Sequence, residues 1–224
     1  MYWLNSCIFC GCSVYRLADN NIKCSTCKRK YALKKTNKTL LLLELFVNNI
    51  SANQAAKQNG FSYASVHSYY DDFRKLCAVI CEREYEQIRH KENEYEEYFY
   101  LEKSKQYKKE AIFDAKNFLT FDYEGHIYTI LLPSLNKFKT QFIEDDLTST
   151  YLEEFKKFKR QTRLIKISST HNNITAFWET FESFITHYKG IKDEMFGYFL
   201  KECEFKYNHT KEEAYTLLQK EYFQ

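Results

Sequence analysis

The sequence predicts a mixed fold, α+β or mixed α/β. It reads as a small cysteine-held module, a helical segment, and a larger domain with strands first and helices after. Three observations predict it. Cys7, Cys10, Cys24 and Cys27 form two C-x2-C pairs separated by thirteen residues. From Val66 to Ile88, apolar residues recur mostly at three- and four-residue steps, the period of an amphipathic helix. Beyond residue 92 the pattern turns to aromatic-rich strands, and from Ile174 onward to helices.

The cysteine spacing suits two tight turns that present four thiolates tetrahedrally to one Zn²⁺ ion. Ser13 to Leu17 reads as an outgoing strand, Asp19-Asn20-Asn21 as a turn, and Ile22 to Lys23 as the return. Residues 1–38 are therefore expected to be a zinc ribbon. Disulfides are the competing use of such pairs. No apolar signal segment follows Met1, so a reducing cytoplasm is the expected compartment. Cys12, Cys77, Cys81 and Cys203 are then reduced thiols. Cys77 and Cys81, one helical turn apart, read as small packed hydrophobes.

The chain has 224 residues and a single proline, enough for a small module plus a medium domain. No apolar run approaches the roughly 20 residues that span a bilayer. The longest leucine block, Leu40 to Leu43, stops at Glu44, so no membrane partner is expected. The overall charge of +3 hides an asymmetry: residues 1–75 carry a net +7 and residues 76–224 a net −4. Lys23 to Lys38 holds seven basic residues and no acid. An anionic partner is expected at this end. Five glycines leave no room for a glycine-rich phosphate loop, and neither a Ser-His-Asp order nor a nucleotide fingerprint is present.

Residues 39–91 read as three helices. Thr39 caps the first, Leu40 to Val47, and Asn48-Asn49 ends it. Ser51 caps the second, Ala52 to Gln58. Gly60 supplies a left-handed turn, and Ser62 caps a third helix that runs on to about Lys91. Ala56 inside, glycine at the turn and Val66 on the following helix give helix-turn-helix form, which is expected to bind double-stranded DNA. Tyr63, Ser65, His67 and Ser68 would lie on the exposed front of the recognition helix. Lys28, Arg29, Lys30, Lys34 and Lys35 would meet phosphates.

In residues 92–224, Tyr95 to Leu101 reads as a strand. Phe118 to Tyr123 and His126 to Leu132 flank Glu124-Gly125, a hairpin signal. Tyr151 to Lys159 reads as a helix and Leu164 to Ile167 as a short strand. Ile174 to Tyr188 and Met195 to Tyr207 read as helices, the first with Phe177, Trp178 and Phe181 toward a core.

Several strings together resemble DDE-type insertion-sequence transposases that carry an N-terminal zinc ribbon, a helix-turn-helix and an RNase H-like domain. CIFCGCSVYRLADNNIKCSTCKRKY is similar to the ribbon, and SANQAAKQNGFSYASV to the helix-turn-helix. YEEYFY resembles the first catalytic strand. NNITAFWETFESF resembles an Asn-x-x-Glu stretch, and ECEFKYN the closing Glu-Phe-x-Phe-Arg-Tyr-Asn helix. The resemblance implies an RNase H-like fold for residues 92–224. It also implies a two-metal site holding Mg²⁺ or Mn²⁺ if the chain is active. Glu96, Asp146 and Asn172 fall at its acidic and amide positions. Elsewhere the chain departs from the pattern. The first aspartate is Glu96, the glutamate after the asparagine is Thr175, the lysine is Glu182, and the arginine after the closing motif is Thr210.

The expectation is a transposase-derived DNA-binding protein with weak or absent strand transfer. It would be nucleoid-associated in the cytoplasm and act as a homodimer or higher oligomer on DNA. The alternatives are an active transposase, cutting and joining DNA with two metal ions, and a zinc-ribbon module that binds another protein.

Overall fold

The computed structural model describes residues 5–19, 21–102, 105, 111–138, 140, 165–166 and 172–224. Among these, the fold is mixed α+β, with two small antiparallel sheets and six α-helices. The chain divides into two compact units, one of residues 1–84 and 201–224, the other of residues 85–200. These limits differ from the sequence-based divisions at 38/39 and 91/92. The last stretch of the chain folds with the first, because apolar residues near the C-terminus complete the N-terminal core.

The first unit opens with strands β1 (Val14–Arg16), β2 (Asn21–Cys24) and β3 (Lys30–Ala32), paired in that order and all antiparallel. Helix α1 (Leu33–Val47) leaves β3 directly, with no side-chain cap. It begins well before Thr39, the expected cap. Leu33, Thr36, Thr39, Leu43, Phe46 and Val47 recur at helical spacing and are buried, so the core face extends the helix backward. Thr39 lies inside it and donates to the Lys35 carbonyl (3.1 Å).

Helix α2 (Ala52–Asn59) starts at Ser51, whose hydroxyl and the Gln54 side chain form a reciprocal capping box. Gly60 ends it in the left-handed conformation (φ 65°), which an L side chain adopts only with strain. Helix α3 (Tyr63–Ile88) follows, and the Ser65 amide donates to Ser62 Oγ (3.3 Å). Its buried Val66, Tyr70, Phe73, Cys77 and Ile80 meet Leu42, Leu43 and Phe46 of α1. Tyr70 donates its hydroxyl to the Ile50 carbonyl (3.0 Å), so burying it leaves no orphaned polar group.

Two more helices complete this core, α5 (Asp193–Asn208) through Phe205 and α6 (Lys211–Tyr222) through Ala214 and Leu218. Thr210 caps α6 in a box with Glu213. Between α3 and α5 a charged group is fully enclosed. Arg74 donates Nε to Glu202 (2.7 Å) and Nη1 to Asp71 (3.0 Å). Lys206 donates to the other Glu202 oxygen (2.6 Å), to the Phe46 carbonyl (2.7 Å) and to Asn49 (3.0 Å).

The second unit contains β4 (Glu94–Tyr100), β5 (Lys116–Tyr123), β6 (His126–Leu131) and β7 (Ile165–Lys166). They lie in the order β6-β5-β4-β7, with every neighbouring pair antiparallel. Glu124 and Gly125 make a two-residue turn, both at positive φ (55° and 98°), as a primed hairpin turn requires. Helix α4 (Asn173–Ile185) packs Phe177, Trp178 and Phe181 on the sheet. Trp178 lies 4.5 Å from Tyr98 and donates its indole N–H to Thr120 (2.9 Å). Four expected elements thus match in place: the strand at Tyr95, the hairpin, the short strand within Leu164 to Ile167 and the helix from Ile174. The helix expected at Tyr151 to Lys159 lies outside the described residues.

In the first unit, His209 faces Glu84 (Nε2 to Oε1 3.0 Å) and the Phe205 carbonyl (2.8 Å). Burial opposes the imidazolium. The hydrogen bonds to Glu84 and to Phe205, with the carboxylate charge, outweigh burial and raise the His209 pKa above its ordinary 6.5. The stabilisation is therefore full below pH about 6.5 and is lost as pH rises through the raised folded value. Urea unfolding across pH 5.5 to 8.5 should show wild type losing its advantage over His209→Gln as pH rises. Parallel curves would contradict the pair.

Candidate metal centre and candidate nucleic-acid interface

Cys7, Cys10, Cys24 and Cys27 come together with their sulfur atoms within 4.8 Å of one another. Cys7 Sγ lies 3.7 Å from Cys27 Sγ, and Cys10 Sγ lies 3.4 Å from Cys24 Sγ. Tetrahedral bonds of about 2.3 Å place neighbouring sulfurs about 3.8 Å apart, so the four thiols can hold one zinc ion. Each C-x2-C pair is followed by a residue at positive φ, Gly11 (72°) and Lys28 (60°), and these left-handed residues close the two knuckles. The Gly11 amide donates to the Cys7 carbonyl (2.8 Å), and the Cys24 amide to the Arg29 carbonyl (3.1 Å). Amides of Thr26 and Cys27 point at Cys24 Sγ (3.3 and 3.4 Å). Burial opposes a thiolate there, but these two donors help bring the Cys24 pKa down to about 6. By contrast, burial pushes the thiols of Cys77, Cys81 and Cys203 up, which leaves them inert packing groups.

The nine basic and polar residues expected at DNA all belong to the first unit, and their local settings differ. Lys28 donates to the Ser25 carbonyl (2.5 Å). Arg29 lies over the Phe9 ring (4.5 Å). Lys30 pairs with Asp19 (2.6 Å). The hydrogen bonds from Lys30 and Asn21 hold the Asp19 carboxyl down to about 2. Lys34 and Lys35 are exposed on the first turn of α1. Tyr63, His67 and Ser68 are exposed on α3, whereas Ser65 is half-buried and accepts from Lys38 (2.8 Å). Tyr63 touches His67 edge-on (5.6 Å), and His67 Nδ1 lies 3.0 Å from Asp71. The front of α3 is thus polar and open behind a buried Val66 and Tyr70.

In the second unit, Glu96 on β4 and Asn172 meet across 76 residues of sequence. Asn172 Nδ2 donates to Glu96 Oε1 (3.0 Å). Glu96 Oε2 is buried with no hydrogen-bond partner among the described residues. Asp146 and His171 lie outside the described residues. Asn172 is also the N-cap of α4: its Oδ1 accepts the Thr175 amide (2.9 Å), and Thr175 Oγ1 accepts the Asn172 amide (3.0 Å). Both ends of the Asn172 side-chain amide are therefore engaged. Glu182 and Thr210 have structural partners as well. Glu182 accepts the Tyr98 hydroxyl (2.7 Å), and burial followed by that carboxylate pushes the Tyr98 pKa well up. Thr210 caps α6. The sequence reading misses Thr120, Tyr98 and Phe9, which meet their partners in space only.

Among the described residues, no helix is long and apolar enough to cross a membrane. Comparison with models of protein families, with curated proteins and with solved structures finds no match to this chain.

The purified protein should carry one zinc per chain by elemental analysis, and Cys24→Ser should lose it. A strong chelator should melt the ribbon, because binding free energy at such sites is folding free energy. Retention of zinc by Cys24→Ser would rule out this ligand set. For α4, Asn172→Ala should cost about 0.5–2 kcal/mol in urea unfolding, the range for removing an N-cap, and Asn172→Ser, which keeps a capping oxygen, much less. Equal losses would mean that the hydrogen bond to Glu96, not the cap, is what matters.

Proposed function

We propose that the chain is a zinc-containing DNA-binding protein derived from an insertion-sequence transposase, with weak or absent strand transfer. One observation carries the DNA-binding reading: the exposed Tyr63, His67 and Ser68 on α3. They follow a capped α2 and a left-handed Gly60 in a unit whose N-terminal 75 residues carry a net +7. The four-cysteine cluster supports a zinc ribbon beside it. The meander β4-β5-β6 with α4 packed on it supports an RNase H-like second unit, to which β7 adds a fourth strand antiparallel to β4. Duplex DNA is the proposed partner, with two copies of the chain on a repeated site and a nucleoid-associated place in the cytoplasm.

The Glu96–Asn172 geometry supports the weak-catalysis part of this reading. In the resembled family these positions help to hold the divalent ions that activate and stabilise the reacting oxygens. Here Asn172 is committed to the α4 cap and to Glu96, so the described residues fit a complete two-metal set poorly. A second reading, an active transposase, draws on the same spot, where Glu96 Oε2 is buried and unpartnered among the described residues beside Asn172.

One gel separates these readings. Zinc-loaded protein is mixed with labelled DNA from the flanks of its own gene, with Mg²⁺ or Mn²⁺, beside Asp146→Ala and His67→Ala. A shifted band without nicking, weakened by His67→Ala and untouched by Asp146→Ala, is the expected result. Nicking abolished by Asp146→Ala would establish the active reading. Absence of any salt-sensitive shift would favour a protein partner, since phosphate contacts make affinity fall steeply with salt.

A further inference from the structure

Two abutting grooves in the first unit share Ile8, Phe9, Phe223 and Gln224 as a common wall between the first cysteine knuckle and the end of α6. The larger, of about 550 Å³, carries Arg29 and Lys220; the smaller, of about 220 Å³, carries Lys35. Every charged side chain lining either groove is a cation. A third groove on the unit, between α1 and α6, has Glu44 and Glu212 against Lys211, so an all-cationic lining is not a general property of this surface.

Cations of this unit differ in their partners, and the three in the grooves, like Lys34 and Lys57, pair with no carboxylate among the described residues. Lys30, Lys75 and Arg83 of the first unit each pair with a carboxylate at 2.6 to 3.7 Å. Among the described residues, no ion pair involves Arg29, Lys35 or Lys220. Arg29 instead lies over Phe9 (4.5 Å), which sets its guanidinium at the mouth of the groove without neutralising it. The shared wall is aromatic: Phe9 meets Tyr31 and Phe223 edge-on (5.5 and 6.1 Å). Unneutralised cations along an open groove attract a polyanion whose charges repeat at intervals.

We propose that this groove is a backbone subsite for duplex DNA, in which Arg29, Lys35 and Lys220 contact phosphates outside the stretch read by α3. The inference rests on the DNA-binding reading above and adds the last helix of the chain to the interface. Lys35 and Lys38 lie one turn apart on α1, and Lys38 donates to Ser65 of α3 (2.8 Å). The groove and the front of α3 are thus joined along one helix of one unit. Phosphate contacts of this kind fix orientation and carry no sequence information.

The test uses the full zinc-loaded chain and a fluorescent duplex from the flanks of its gene, with affinity measured between 50 and 200 mM salt. Removing one phosphate interaction should flatten the slope of log affinity against log salt by about 0.9. Lys220→Gln should do so and weaken binding about three- to fourfold at the low-salt end relative to the high-salt end. Thr216→Lys, which adds a cation to the groove wall, should steepen the slope by a similar amount. Neither should alter the preference for one duplex over another, whereas His67→Ala should. Zinc content and melting temperature check that each variant is folded. Unchanged slopes in both variants, with His67→Ala still weakening binding, would overturn the groove alone. No duplex binding by wild type would overturn both readings. Binding of a poly-glutamate peptide, abolished in Lys220→Gln while duplex binding is unaffected, would assign the groove to an acidic protein and overturn the proposal.

Discussion

The first unit depends on one enclosed charge. Arg74 sits on α3, 2 % exposed, and its guanidinium is neutralised by Glu202 of α5, 1 % exposed. Lys206 holds the second Glu202 oxygen and reaches the Phe46 carbonyl at the end of α1. A buried cation without its carboxylate is strongly destabilised, so α3 closes on a segment more than a hundred residues away or does not close properly. The network joins α1, α3 and α5 at one point. Around it Leu42, Phe46, Phe73 and Phe205 supply the apolar packing, with Leu218 entering from α6. The residues proposed to read DNA are on the same α3, on the side away from that core. Their positions are set by interactions made at the far end of the chain.

The same logic explains the departures from the transposase pattern. Thr175 completes the cap of α4, Glu182 takes the Tyr98 hydroxyl, and Thr210 caps α6. A lysine at Glu182 would remove the acceptor for a buried phenol, and leaving such a group unsatisfied costs more than a typical hydrogen bond contributes. Substitutions that look in the sequence like losses of chemistry are, in the fold, polar groups with partners. Asn172 is likewise held at both ends of its side-chain amide.

Legibility in the sequence follows the range of the interaction. The cysteine knuckles, the Ser51 cap, Gly60 and the Glu124-Gly125 turn are local, set by residues within four positions, and each is readable. The start of α1 is misread because Thr39 looks like a cap when only the leucine block is counted. Leu33 and Thr36 extend the buried face behind it. Helix α6 escapes notice although Thr210 and Glu213 spell a capping box, because its apolar positions Ala214 and Leu218 are sparse. The domain limits are the least accessible. That residues 201–224 join the N-terminal unit follows from Arg74–Glu202 and from Phe205 in the α1 core, pairings with no local signature. Glu96 and Asn172 are named by a resemblance, while their mutual hydrogen bond comes from the fold.

Closure by both chain ends has a consequence for recognition. A helix front such as Tyr63, His67 and Ser68 discriminates between bases only if the helix is held at a constant height and angle on the duplex. Phosphate contacts supply that constraint when they are spread out from the reading helix rather than clustered on it. The cysteine knuckle places Arg29 at one such point, and the last turn of α6 places Lys220 nearby. Both are tied to α3 through the α1 core, not through flexible linkers. On the proposed DNA-binding reading, the four-cysteine cluster contributes more than the folding of a small ribbon. By fixing the loop that carries Arg29, it sets one edge of a rigid basic frame whose other members, Lys35 and Lys220, come from opposite ends of the sequence. On the proposed reading, placement on packed elements lowers the entropy lost on binding, so three modest phosphate contacts would orient the unit without adding sequence preference of their own.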